Sequence, residues 1–211
     1  LGVYGTSAIT AITAQNTLGV TQVLALTPRL VAARIDAVIE DIGAQALKTG
    51  MLANTSIIEI VASKIREHRL KNIVVDPVMV ATSGDMLIKK SAVAALRFRL
   101  IPLATVVTPN IPEAEELTAM KLRGADEIAE AARRIHAMGA RAVVIKGGHG
   151  KGPAVDLFYN GKEFRALIAP RIRTRNTHGT GCNFSAAIAA YLARGERLDR
   201  SVVLAKQYIT G

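Results

Sequence analysis

The sequence predicts an α/β fold: a single domain with a central, mostly parallel sheet, helices on both of its faces and an antiparallel hairpin at one edge. Three observations lead there. Short β-branched runs alternate with longer segments of helical period, the pattern left by right-handed βαβ units. Of the 211 residues 50% are apolar, enough for one core of this size. An Asn-Gly dipeptide also separates two further strand-like runs near the C-terminal end.

In chain order, the strand-like runs are 22–26, 45–49, 72–76, 105–108 and 142–146. Valine, isoleucine and threonine favour these pleated, buried positions. Between them, 29–42, 56–69, 91–100 and 126–138 repeat apolar residues every three or four positions with charges opposite, the pattern of covering helices. The runs 155–159 and 164–169 flank Asn160-Gly161, which predicts a type I′ hairpin turn. Two last helices follow: 184–193, whose 186–193 is the longest apolar stretch, and 201–209.

Several classes of protein are excluded by composition. Charged residues make up 21%, and no low-complexity tract or long apolar run is present, so disorder and a membrane span are both disfavoured. No charged-then-apolar leader opens the chain, and the lone Cys182 cannot form an internal disulfide, so a cytoplasmic location is expected. A net charge of +10 suits either nucleic acid or a small anionic ligand. The basic residues are spread over many segments and aromatics are only 4%, too few for base-stacking platforms, so no nucleic-acid partner is expected. The start at Leu1 without a methionine and the stop at Gly211, straight after a helical run, lead to the expectation of further chain at both ends.

In open parallel sheets, ligands bind beyond the carboxyl ends of the strands. Those ends read Lys48-Thr49-Gly50-Met51, Asp76-Pro77-Val78-Met79, Thr108-Pro109-Asn110-Ile111-Pro112-Glu113 and Lys146-Gly147-Gly148-His149, which predicts one composite site on one rim. The strongest local signal is Asn176-Thr177-His178-Gly179-Thr180-Gly181-Cys182 running into an alanine-rich helix. Glycines let the backbone approach a ligand, and the first amides of a helix point outward with the positive end of its dipole. Backbone amides of Gly179, Thr180, Gly181 and Cys182 are therefore candidates to hold a phosphoryl group. No Gly-Lys-Ser/Thr triplet is present, so this is not a Walker P-loop. A thiol at such a helix terminus is expected to have a lowered pKa and to serve as a base, against the alternative of a small packed cysteine. Glu113, just after Pro112, suits a helix cap. His149 and His178 have no partner at metal-ligand spacing.

The run 176–182, with Thr13-Ala14-Gln15-Asn16-Thr17, Lys48-Thr49-Gly50-Met51-Leu52, Val75-Asp76-Pro77-Val78-Met79 and Thr108-Pro109-Asn110-Ile111-Pro112-Glu113-Ala114-Glu115, resembles the hydroxymethylpyrimidine phosphate kinase family. The similarity covers essentially the whole chain in order. It implies a ribokinase-like fold and two successive ATP-dependent phosphorylations in thiamine biosynthesis, giving first the pyrimidine monophosphate and then the diphosphate. In related sugar kinases the base is an aspartate; Cys182 stands in that place, as it does in a subset of pyridoxal kinases, so the motif leaves both substrates open. The resemblance further implies that Lys146 and Asn110, with Thr180, meet the nucleotide phosphates. Asp76 and Glu113 would organise Mg²⁺ through water. Gln15 would read the ring nitrogen and amine of the pyrimidine, with Met51, Val78 and Thr13 lining its pocket. By analogy a homodimer is possible. The family's opening strand and an adenine-covering segment are expected to lie outside residues 1–211. A binding module without catalysis is the alternative of another class, against which the intact 179–182 turn argues.

Overall fold

Residue alternation within the central strands decides the layering of the computed structural model, which describes residues 1–16, 19–79, 90–147, 154–170 and 179–210. In chain order it runs β1 (Ala11–Gln15), β2 (Val20–Ala25), α1 (Pro28–Asp41), β3 (Leu47–Thr49), α2 (Thr55–Glu67), β4 (Ile73–Val75) and α3 (Lys90–Ala95). Then come β5 (Val106–Val107), α4 (Ile111–Thr118), α5 (Ala125–Ala137), β6 (Val143–Ile145), β7 (Ala154–Tyr159), β8 (Phe164–Ala169), α6 (Thr180–Ala193) and α7 (Leu198–Thr210). Six strands form one sheet in the order β3-β4-β5-β6-β7-β8, parallel from β3 to β6 and antiparallel beyond.

Because successive side chains point to opposite faces, each central strand feeds two cores. Val74, Val106, Val144, Phe158 and Leu167 pack with Phe184 and Ile188 of α6 and Val202 of α7. Ile73, Val75, Val107, Val143 and Ile145 pack against the layer of α1 to α5. The helices begin where the sequence supplies caps. Thr27 and Asn54 accept from the amides of Leu30 and Ile57, and Asn110 and Glu113 form a reciprocal capping box on α4. Strand ends and helix starts therefore share one rim, which the fold predicted from sequence requires.

Three expectations need correction. The run 22–26 does not join the parallel sheet: β2 pairs with β1, antiparallel, in a separate two-stranded sheet with Ile12 opposite Leu24. Only residues 16–19 connect them, whereas a parallel crossover needs roughly a dozen residues. Secondly, the edge hairpin forms as expected, but its turn is not type I′, because only Gly161 has a positive φ, +89°. Glycine at the first central position is the type II′ requirement, and Asn160 instead uses its side chain to accept from the amides of Lys162 and Glu163. Thirdly, the segment expected as one helix over 91–100 is helical but not α throughout: α3 passes into a π-helical turn at Leu96–Leu100 and then a 3₁₀ turn at Ile101–Leu103, which contains Pro102.

Candidate active site

A buried aspartate organises the rim. Asp76 follows β4 directly and is 2% exposed, so its charge must be paired. Four elements converge on it. Its Oδ1 accepts from Lys146 Nζ at 2.9 Å and from Thr108 Oγ1 at 3.3 Å. Its Oδ2 accepts from Ser185 Oγ at 3.0 Å, with Lys48 Nζ 3.7 Å away. Lys48 reaches it because it lies in register with Val74, and so points to the α6 side of the sheet.

Lys146 is held at both backbone and head. Its amide donates to Pro109 O at 2.8 Å, and the next amide, Gly147, donates to Asp156 Oδ1 at 2.9 Å. A Cβ at Gly147 would collide with the Val155 carbonyl, so only glycine fits. Burial pulls the Lys146 pKa down, but the charges of Asp76 and Glu113 outweigh it and hold the ammonium above its ordinary range. A Cβ on Gly181 would lie 3.1 Å from Lys146 Nζ, so this cation rests against the first turn of α6. Gly179 precedes that turn with φ +80°, and the amide of Asn183 donates to its carbonyl at 2.8 Å to start the helix. A fixed cation and the positive end of a helix thus meet at Thr180, Gly181 and Cys182.

Cys182 is exposed as a residue, but its sulfur is turned toward Asp76 and partly withdrawn from solvent, and the thiol does not behave as the sequence suggested. Its pKa is raised, first by burial of the thiol and also by the charge of Asp76, which together outweigh Lys48 and Lys146. The helix terminus alone would lower it; burial of the sulfur, helped by the carboxylate behind the turn, reverses the sign.

Glu113 is 2% exposed, and both of its oxygens are engaged: Oε2 accepts the Asn110 amide at 2.8 Å and Oε1 the Met79 amide at 3.1 Å. Burial, foremost, raises its pKa against the pull of Lys146. Asn110 spends its carboxamide oxygen on the Glu113 amide, also at 2.8 Å. Met51 and Val78 are half-buried at the neighbouring strand ends. Thr10 Oγ1 donates to Met51 O at 2.9 Å, which ties the root of the β1–β2 hairpin to the rim; Thr13 and Gln15 lie along that hairpin, half-buried and exposed.

The structure therefore gathers Asp76, Lys146, Gly181 and Cys182 into one cluster, with Asn110 and Glu113 on the adjoining strand end. Lys48 and Thr108, which the sequence placed on the rim without a role of their own, join it, as does Ser185, which had not been singled out. Ser185 carried a readable signal, since three residues beyond Cys182 is one helical turn, but it was hidden in an apolar run. Gly148, His149 and Asn176 to His178 lie outside the described residues. Among the described residues one other set has metal-ligand character, Asp36, Glu67 and His68, and the Lys64 ammonium fills it at 2.8 Å from Asp36 and 2.9 Å from Glu67. No described helix is long and apolar enough to cross a membrane.

A family model described as phosphomethylpyrimidine kinase matches residues 1–211. The thiamine biosynthesis bifunctional protein ThiED of Geobacter sulfurreducens is 50% identical over the whole chain, which spans 43% of that relative's length. Hydroxymethylpyrimidine/phosphomethylpyrimidine kinase of Rhizobium meliloti is 52% identical, over 99% of this chain and 79% of the relative. Among solved structures, the ADP complex of Bacillus subtilis pyridoxal kinase superposes with a TM-score of 0.91 at 42% identity, covering 99% of this chain and 80% of that one.

Proposed function

The chain belongs to the phosphomethylpyrimidine kinase family, and from that premise we propose that it moves the terminal phosphoryl group of ATP to the hydroxymethyl oxygen of 4-amino-5-hydroxymethyl-2-methylpyrimidine and then phosphorylates the monophosphate to the diphosphate. The observation that carries this reading is the Lys146 ammonium, fixed by Asp76 and resting on the Gly179–Cys182 turn beside a thiol. Phosphoryl transfer asks a protein chiefly to position reactants and neutralise charge. Lys146 and the amides of Gly179, Thr180, Gly181 and Cys182 do both for the transferring group, with Asn110 toward the nucleotide. Cys182 accepts the proton of the substrate hydroxyl. Gln15 and Thr13 face the pyrimidine from the hairpin, with Met51 and Val78 as apolar walls.

Asp76 and Glu113 would hold Mg²⁺ through water, and the ion when bound would supply shielding of phosphate charge. Asp76 already holds two ammonium groups and Glu113 two backbone amides. That donor set fits a hydrated ion held from outside better than a cage of direct ligands, in keeping with the reluctance of Mg²⁺ to shed water.

The similarity to a pyridoxal kinase at 42% identity favours a second reading, pyridoxal phosphorylation at the same cluster. An ADP-release assay on the full-length protein with hydroxymethylpyrimidine, its monophosphate and pyridoxal separates the two. Release with the two pyrimidines and much less with pyridoxal is expected; release with pyridoxal alone reverses the assignment.

A further inference from the structure

Val78 carries a backbone conformation that its side chain disfavours. Its φ is +43°, and it is the sole β-branched residue with a positive φ among the described residues; the others are Arg69, Asn72 and Ala119. Branching at Cβ makes this region a real outlier, and such strain persists only where the surroundings over-determine it. The surroundings here are on both sides. Pro77 precedes Val78, and Met79, whose side chain is fully buried, follows it with its amide bound to Glu113 Oε1 at 3.1 Å. The same carboxylate caps α4 through the Asn110 amide at 2.8 Å. Glu113 thus ties the loop after Asp76 to the first turn of the helix that follows the adjacent strand, β5.

We propose that Glu113 is a positioning residue that holds Val78 in its left-handed conformation and so sets the apolar wall presented to the pyrimidine ring. This rests on the reading that Val78 lines the substrate pocket. The chemistry explains the residue type. A carboxylate offers an acceptor to each of the two amides, whereas a glutamine offers one acceptor and one donor. Glu113→Gln must therefore release either the cap or Met79, and releasing Met79 lets Val78 relax to negative φ. This role needs no metal.

The test is calorimetric binding of hydroxymethylpyrimidine to the full-length protein with chelator and without nucleotide. Glu113→Gln is expected to weaken binding by on the order of tenfold or more, since the competent conformation becomes a minor one. Val78→Gly alone loses wall contact, but glycine adopts positive φ without strain, so adding Glu113→Gln to it costs little more. Unchanged metal-free binding in Glu113→Gln, or an equal loss in both backgrounds, overturns the proposal. If Glu113→Gln alone does not fold, the double variant is expected to regain the thermal midpoint, and no gain also overturns it. If the wild type binds no pyrimidine, the functional reading fails instead. Hydrogen exchange of the Met79 amide in protein labelled at methionine nitrogen then decides: protection lost in Glu113→Gln supports the strap, and protection kept refutes it.

Discussion

Replacing Cys182 with alanine is expected to have an effect that grows with pH. Burial and the neighbouring Asp76 hold the thiol above its ordinary value of 9.0. A group with a pKa near 9 is only about 1% ionised at roughly pH 7. A positioned general base is worth about 10²–10⁴ in rate when fully in its basic form. The ionised fraction discounts that gain, so Cys182→Ala should lower kcat by at most about a hundredfold near neutrality and by the full ~10²–10⁴ on the alkaline plateau. The sign follows from the direction of the shift: the competent form is deprotonated, so wild-type kcat rises about tenfold per pH unit until it passes the raised pKa. Lys146 is itself held above its usual 10.5, so its charge stays constant over that range. Cys182→Asp, already ionised near neutrality, should show a flat profile. It should retain more of the first phosphorylation than alanine but less of the second, where a fixed charge faces the substrate's phosphate. Initial rates from roughly pH 6 to 10 for the three proteins are the assay. A wild-type profile parallel to that of the alanine variant would refute the base role and leave catalysis to Lys146 and the amide turn.

Other perturbations test the frame around this thiol. Gly181→Ala puts a methyl group 3.1 Å from Lys146 Nζ, so it should raise KM for ATP while leaving the thermal midpoint close to wild type. Gly179→Ala, at φ +80°, should destabilise by about 1 kcal/mol or more in chemical denaturation. Lys206 donates to the buried Asp156 at 2.7 Å; Lys206→Met leaves that carboxylate without its cation and should cost about 3–5 kcal/mol. Adding Asp156→Asn should recover part of that loss, and a strictly additive pair would show that the two residues are not coupled. Retention of duplex DNA at physiological salt, with a steep salt slope, would contradict the assignment of the +10 charge to small anionic ligands.

Periodicity made most of the sheet legible. Runs such as Ile73–Val75 and Val143–Ile145 are apolar on both faces, which only a doubly covered sheet tolerates. What escaped was decided by connection length and by through-space charge. The β1–β2 hairpin looked like one more parallel strand because a strand's composition does not name its partner; the short 16–19 link does. In the site, Asp76, Lys146 and the 179–182 turn were readable as strand and helix ends. The raised Cys182 pKa was not, since it depends first on burial of the thiol and then on a carboxylate 106 positions away in sequence, both of which only the fold sets. The second role of Glu113 was hidden likewise: its cap is local and visible, whereas its bond to the Met79 amide spans 34 residues.

The central claim is that one cluster, built on Asp76, Lys146 and the turn to Cys182, phosphorylates the pyrimidine twice. Mass spectrometry of the products formed from hydroxymethylpyrimidine and ATP by the full-length protein tests it most directly. The account predicts a species bearing one added phosphoryl group that gives way to one bearing two, with both steps lost in Lys146→Met. Accumulation of the monophosphate without further conversion, or no phosphorylated pyrimidine at all, would contradict it.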